Sequence, residues 1–348
     1  MKETIFAKIK REFPAVKENE SLKEHTTFKV GGMARYFLIV KNKEDLAKAL
    51  KLAKQLKLSV FVLGGGSNVV FEDKDFKGLV IKMQNQVCEL QGNKIVAGAG
   101  TTLSDLAKFA SESGLSGLEW SAGIPKATVG GAVFGNAQAF GQRISDIIKS
   151  VEILDTKTLE FKKFAKEQCG FNLKNSVFKK TAKNANRLII VSAVFLLKNK
   201  DKEVITEKIK EFLKYRKDRH PLNFPSAGSV FVNPEIYPVK FAQTGSAGKP
   251  LKYNGQKTIS KELVEKFPEL EEFNKKGVIH AGYLIEKAGL KGKKIGNAQI
   301  SEKHANFIIN LGGAKAKDIE NLINFAKQKV KKIFNIDLET EIQIIKMP

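Results

Sequence analysis

The sequence predicts an α+β protein whose N-terminal part is α/β in character. Three observations predict it. A β-rich run at Ala34–Val40, an amphipathic segment at 44–58 and a second β-rich run at Ser59–Leu63 make a strand–helix–strand unit. Further on, short β-branched runs alternate with segments of helical period up to residue 345. Finally, two glycine-rich stretches, Gly64–Gly66 and Gly114–Gly141, interrupt the pattern where loops join these elements.

Taken in order, residues 1–20 begin with a charged helix over Glu3–Phe13, stopped by Pro14. His25, Thr26 and Thr27 then fall on a loop, and Gly31-Gly32 turns the chain into the strand Ala34–Val40. In the helix of 44–58, Leu46, Ala49, Leu50, Ala53 and Leu56 share one face, and Glu44 and Asp45 suit its first turn. Strands are expected at Val69–Phe71, Leu79–Met83 and Lys94–Ala97, and Thr101 or Thr102 caps a helix from Leu103 to Ser113. Residues 148–197 read as strands and turns, and Lys202–His220 as a helix stopped by Pro221. Short helices are expected in 261–267 and 280–289 and a strand within 301–312. A strong amphipathic helix covers Ala316–Phe334, with Ile319, Leu322, Ile323, Ala326, Val330 and Ile333 inward. A last strand runs from Asp337 to Ile345, with Leu338, Thr340, Ile342 and Ile344 on one face.

The first glycine stretch carries chemistry in its own right. Gly64, Gly65 and Gly66 follow an apolar strand, and Ser67 and Asn68 add side-chain donors. Without a Cβ the backbone can take φ > 0 and approach a ligand, and consecutive N–H groups form a concave anion nest. A phosphate or pyrophosphate cradle is one reading and an ordinary tight turn the other. The stretch is neither a P-loop, since no Lys-Ser/Thr follows, nor a dinucleotide fingerprint, since strand rather than helix follows. The second stretch holds the single tryptophan, Trp120, and its small residues suit a flat, rigid cofactor or tight packing for its own sake.

Composition narrows the partners. The chain has 348 residues with 60 Lys+Arg against 37 Asp+Glu, a formal charge of +23. The lysines are spread through every segment, with no dense basic run or nucleic-acid module, so nucleic acid is not the expected partner. Two cysteines, Cys88 and Cys169, are too few for a disulfide framework or a thiolate metal site and are expected as buried thiols; no metal is expected. With no apolar leader and no run approaching a membrane span, a cytoplasmic chain is expected.

Seven segments, in order, together resemble one family. They are HTTFKVGG at 25–32, LGGGSNVV at 63–70, SAGIP at 121–125 with VGGA at 129–132, PSAGSVFVNP at 225–234, AGYLIEKAGLKG at 281–292, SEKHANFIIN at 301–310 and LETEI at 338–342. The chain from Leu22 to Lys346 thus resembles the UDP-N-acetylenolpyruvoylglucosamine reductases, flavoenzymes of peptidoglycan precursor synthesis. The resemblance implies an FAD-binding fold of the vanillyl-alcohol-oxidase type in two α/β subdomains, 1–85 and 86–222, with a substrate-binding domain at 223–336 and the strand 337–346 returning to the first. It implies FAD, NADPH as reductant and a small nucleotide-sugar substrate; neither glycine loop contains His or Cys, so non-covalent FAD is expected, and the chain is expected to be a monomer. It also implies that the enolpyruvyl group of UDP-N-acetylglucosamine enolpyruvate is reduced to give UDP-N-acetylmuramate.

Site residues follow from the same resemblance. Gly64, Gly65, Gly66, Ser67 and Asn68 would cradle the FAD pyrophosphate, and Gly123, Ile124, Pro125, Val129, Gly130 and Gly131 would line the flavin. Ser229 would be the proton donor, Glu341 the acid facing the enolate with Glu339 its rival, and Asn233 and His304 would hold the nucleotide. In the family pattern F-x-Tyr-Arg-x-Ser-x-Phe-Lys, Leu173 and Lys174 here replace Tyr and Arg, so the charge remains without the bidentate fork. The stretch Gly123–Gly131 is one residue longer than the family's, with Lys126 after the proline, and Phe140 stands where many members have Tyr. Two other readings stay open: an FAD-dependent oxidase or dehydrogenase acting on a hydroxy acid or alcohol, and a nucleic-acid binder explained by charge.

Overall fold

The computed structural model describes residues 3–182, 187–236 and 259–346. The chain forms two compact units, residues 1–218 with 345–348, and residues 219–344.

The first unit holds two main sheets, of four and five strands, beside smaller two-stranded ladders. Helix α1 (Ile5–Glu12) is capped by the Thr4 hydroxyl, which accepts from the Ala7 N–H. Strand β1 (Lys17–Ser21) pairs antiparallel with β2 (Met33–Val40). Helix α2 (Lys43–Gln55) starts at Asn42, whose side chain accepts from the Asp45 N–H at 2.7 Å. Then come β3 (Val60–Leu63), β4 (Val69–Phe71) and β5 (Phe76–Met83). The sheet order is β1-β2-β5-β3, and β2, β5 and β3 run parallel. Strand β5 shows why the sheet holds its place. Leu79, Ile81 and Met83 pack with Ile9, Leu46, Ala49 and Ala53 of the two helices, while Val80 packs on the other face with Phe37, Leu63 and Phe71.

The second sheet is antiparallel throughout. It contains β6 (Cys88–Gln91), β7 (Lys94–Gly98), β8 (Ile148–Asp155), β9 (Glu160–Ala165) and β10 (Leu188–Leu196), in the order β9-β8-β10-β7-β6. Leu154, Ile189 and Val191 join the core of the first sheet. Val151, Ile153, Ala193 and Phe195 face a second core that includes α3 (Leu103–Glu112), α4 (Val129–Gly135) and Trp120. Helix α5 (Lys202–Arg219) buries Phe212 in that core.

In the second unit, β11 (Ala298–Ile300) and β12 (Ile308–Asn310) pair antiparallel, flanked by α6 (Ala281–Lys287) and α7 (Ala316–Phe334). A short helix at Lys261–Lys266 stands where the sequence placed one. In α7 the inward face is Ile319, Leu322, Ile323, Ala326, Val330 and Phe334, and Ile333 is only half-buried.

Four expectations are corrected. Residues 17–21 are a polar edge strand whose KENES sequence has no apolar alternation to reveal it; pairing with β2 makes it. The expected strand 337–345 shrinks to a ladder at Gln343–Ile345 with one isolated bridge at Thr340, although Leu338 and Ile342 are buried as their alternation requires. Cys169 is buried but Cys88 is half-buried on the outer strand β6, where no further strand covers it. Helix α2 ends at Gln55, so Leu56 follows it as the capping residue.

Candidate active site

In the first unit three loops converge at the carboxyl ends of the parallel strands. The glycine turn after β3 is boxed in by backbone on two sides. A Cβ on Gly65 would lie 1.5 Å from the Lys126 carbonyl oxygen, and one on Gly66 would lie 2.0 Å from that of His25. Gly66 also has φ +68°, and its carbonyl accepts from the Thr27 N–H at 3.0 Å. A Cβ on Gly64 would meet the Thr128 hydroxyl at 2.6 Å. Thus the loop at 25–27, the turn at 64–68 and the loop at 123–131 pack on one another through main chain. Glycine at 64–66 is what permits that approach.

The second glycine loop is fixed from behind. Arg216 of α5 is buried and donates to the Trp120 carbonyl at 2.8 Å, with its guanidinium 5.0 Å from the Phe140 ring centre. Burial draws the Arg216 pKa down. Gly123 faces Leu213 of the same helix, too close for any Cβ at 2.5 Å. Gly130 and Val129 donate backbone hydrogen bonds to Ala99 and Thr101, tying the start of α4 to the end of β7. Lys126 has φ +53°, the left-handed region that favours glycine, so the loop keeps a turn there at the cost of strain on an L-residue.

Lys174 sits in a tight turn closed by reciprocal Asn172–Asn175 backbone bonds, half-buried and with φ +48°. Its carbonyl accepts from Lys179 Nζ at 3.0 Å. The turn is anchored to α4: Ser176 Oγ donates to the Phe134 carbonyl at 2.6 Å, and the Asn136 amide donates to the Asn172 carbonyl at 2.8 Å. Lys174 and the second glycine loop therefore share one support.

In the second unit the segment Gly228–Val232 lies between two others. Ser229 bridges to Phe307, the Val230 N–H donates to the Asn306 carbonyl at 2.8 Å, and the Val230 carbonyl accepts from the Glu341 N–H at 2.8 Å. Ser229 and Glu341, 112 positions apart in the chain, thus become neighbours one residue removed. Glu341 is half-buried and Glu339 exposed.

Asn306 was not singled out from the sequence, yet it organises this corner. Its side chain accepts from the Phe231 N–H and donates to the Phe231 carbonyl, both at 2.9 Å. Its own N–H donates to His304 Nδ1 at 3.2 Å, so the neutral imidazole carries its proton on Nε2. Burial, more than neighbouring charge, lowers the His304 pKa. The Asn233 side-chain oxygen accepts from the Ala281 N–H at 3.0 Å, at the start of α6, and Gly282 of that helix passes beside the His304 ring. The only sequence signal for Asn306 was its place two residues after His304. The role of Arg216 was marked only by its position near the end of an expected helix.

The family described as "FAD binding domain" matches residues 34–158, a span that includes the glycine turn at 64–68 and the loop at 123–131. The fold and loops thus define an FAD-binding flavoprotein. The family described as "UDP-N-acetylenolpyruvoylglucosamine reductase, C-terminal domain" matches residues 220–345. The reductase of that name from Caldicellulosiruptor bescii is 39% identical over 331 residues, 94% of this chain and 90% of that protein. The one from Bacillus subtilis is 36% identical over 338 residues, 96% and 95% of the two chains. The crystal structure of the Thermus caldophilus reductase superposes with a TM-score of 0.69 at 31% identity, covering 95% of this chain and 98% of that one. This chain belongs to the UDP-N-acetylenolpyruvoylglucosamine reductase family. Among the described residues no helix is long and apolar enough to cross a membrane.

Proposed function

We propose that Ser229, Glu341 and Lys174 are the groups with which this chain performs its family's reaction, the NADPH-dependent reduction of UDP-N-acetylglucosamine enolpyruvate to UDP-N-acetylmuramate. The reaction makes the chain an oxidoreductase of peptidoglycan precursor synthesis. The observation that carries the assignment is the adjacency of Ser229 and Glu341 through Val230.

FAD, when bound, supplies the hydride it receives from NADPH. The rest falls to side chains. Hydride arriving at the enolpyruvyl CH₂ leaves negative charge on the neighbouring carbon and its carboxylate, so cations and acids there lower the barrier. Lys174 brings a positive charge for that carboxylate, as a point charge without a planar fork. Glu341, if protonated, donates a hydrogen bond to the enolate oxygen. The Ser229 hydroxyl gives its proton to the carbon and is reprotonated from solvent as product leaves. His304 and Asn233 hold the nucleotide's diphosphate or its sugar; the Asn306 N–H donating to His304 Nδ1, which leaves the neutral imidazole an Nε2–H to donate, supports that reading.

Gly64 to Asn68 hold the FAD diphosphate, and the loop Gly123–Gly131 holds the flavin. The chain divides at about residues 85 and 222, and residues 337–346 return to the first part; the Glu72 N–H donating to the Ile345 carbonyl and the Lys346–Glu72 ion pair at 3.1 Å support that return. The protein acts as a cytoplasmic monomer. Anaerobic reduction tests the assignment: NADPH bleaches the flavin band and the enolpyruvyl nucleotide restores it. Ser229→Ala is expected to slow the second half by on the order of 10²-fold and leave the first unchanged. Equal slowing of both halves rules Ser229 out as the proton donor.

A further inference from the structure

The first unit also carries a half-buried cation that the assignments above leave unused. Lys82 is the penultimate residue of β5, at the carboxyl end of the parallel strands, where open α/β sheets bind ligands. In register it lies directly beside Leu63, the residue before the glycine turn. It shares the sheet face of Val80, Phe37 and Leu63 and is half-buried.

An ammonium in such a place is costly unless paired. Among the described residues, however, its hydrogen-bond partner is not a carboxylate but His25 Nδ1, at 3.2 Å. For that contact Nδ1 must accept, so the ring proton sits on Nε2 and is donated to Glu20 at 2.9 Å. The ring is further locked by stacking on Phe37, centre to centre 4.1 Å. Glu20 is itself held by Lys17 at 2.8 Å. The other charges facing the group are Lys126, across the glycine turn, and Lys29, which pairs with Glu24 at 2.9 Å.

We propose that Lys82 is a cofactor-binding residue that pairs with the FAD diphosphate at the glycine turn, and that His25, oriented by Glu20, is the positioning residue that holds it there. The inference rests on the reading of residues 64–68 as the diphosphate cradle. It explains why a lysine survives on a sheet face that otherwise packs apolar side chains. His25 meets both partners: its carbonyl backs Gly66, and its ring accepts from Lys82. Burial lowers both pKa values, so the imidazole is neutral and can accept near neutral pH. Protonating it puts hydrogen on Nδ1 and sets two cations against each other.

The test is titration of the FAD-free full chain with FAD and with riboflavin, which lacks the diphosphate. Lys82→Met is expected to weaken FAD binding at least about tenfold, the usual scale for losing one charge-assisted hydrogen bond, and to leave riboflavin unchanged. His25→Leu weakens FAD by a smaller factor. His25→Gln recovers it, because its amide can accept from Lys82 and donate to Glu20. The double variant His25→Leu/Lys82→Met binds FAD no more weakly than Lys82→Met alone. Wild-type affinity declines as pH falls through the His25 titration, and Lys82→Met lacks that dependence. Wild-type FAD affinity in Lys82→Met, or an equal loss for riboflavin, overturns the proposal. A wild-type chain that binds no FAD instead overturns the reading of the cradle itself.

Discussion

At the scale of single residues, the site separates groups that do chemistry from groups that hold them. Glu341 is half-buried beside the Ser229 turn and Glu339 is exposed. Glu341→Ala is therefore expected to lower kcat by about 10²-fold, the effect of losing one preorganised donor, while Glu339→Ala changes it little; steady-state kinetics with saturating NADPH reads the contrast. The Asn306 amide satisfies both main-chain groups of buried Phe231. Asn306→Ala leaves those groups unpaired and should cost about 1–3 kcal/mol in denaturant unfolding, together with a loss of turnover from the displaced Ser229. For Lys174, restoring the fork by Lys174→Arg is expected to lower KM for the enolpyruvyl nucleotide several-fold without changing flavin reduction by NADPH.

At the scale of elements, the glycine turn after β3 is a place where main chain meets main chain. Gly65→Ala would put a methyl 1.5 Å from the Lys126 carbonyl, so the two loops must separate and FAD affinity should fall by more than tenfold. Gly135→Ala, in α4, meets nothing within 4 Å and has ordinary φ, so it should bind FAD as the wild type does. Fluorescence titration of the FAD-free chain distinguishes these outcomes. The same turn shows what sequence patterning can and cannot read. A glycine run after an apolar strand announced a close approach, because no other residue tolerates one. What approaches, the carbonyls of His25 and Lys126, lies 39 residues or more away in the chain and has no local signature. Strand β1 was invisible for a related reason: its polar residues take strand form through pairing with β2, not through their own pattern.

At the scale of the whole molecule, each unit holds a half-buried histidine whose Nδ1 accepts a hydrogen bond. The His25 Nδ1 accepts from Lys82 and the His304 Nδ1 accepts from Asn306. Burial depresses both pKa values below the ordinary 6.5. A folded-state pKa below the unfolded one means that the unfolded chain takes up protons first. The stability contributed by both histidines is thus present above about pH 6.5 and is lost as pH falls through their folded values. Thermal midpoints measured from pH 7.5 down to pH 5 should decline more steeply in the wild type than in His304→Gln, which keeps an acceptor that cannot titrate. Many lysines behind the formal charge of +23 pair locally on exposed faces, as Lys208 with Glu211 and Lys210 with Glu207, and such pairs add little to stability.

The sequence alone determined the α+β class, most helix and strand positions, the two glycine loops and the family, because periodicity, glycine demand and ordered motifs are written in local residue order. It also determined Ser229 and the glutamate pair as candidates. The family pattern already favoured Glu341 over Glu339, and the tertiary structure adds that Glu341 is half-buried and Glu339 exposed. It alone brought Ser229 to Glu341 through Val230, set Asn306 behind them, and placed Lys82 with His25 at the glycine turn. Each of these rests on contacts between residues distant in the chain, which strand register and packing fix and which no short stretch of sequence encodes.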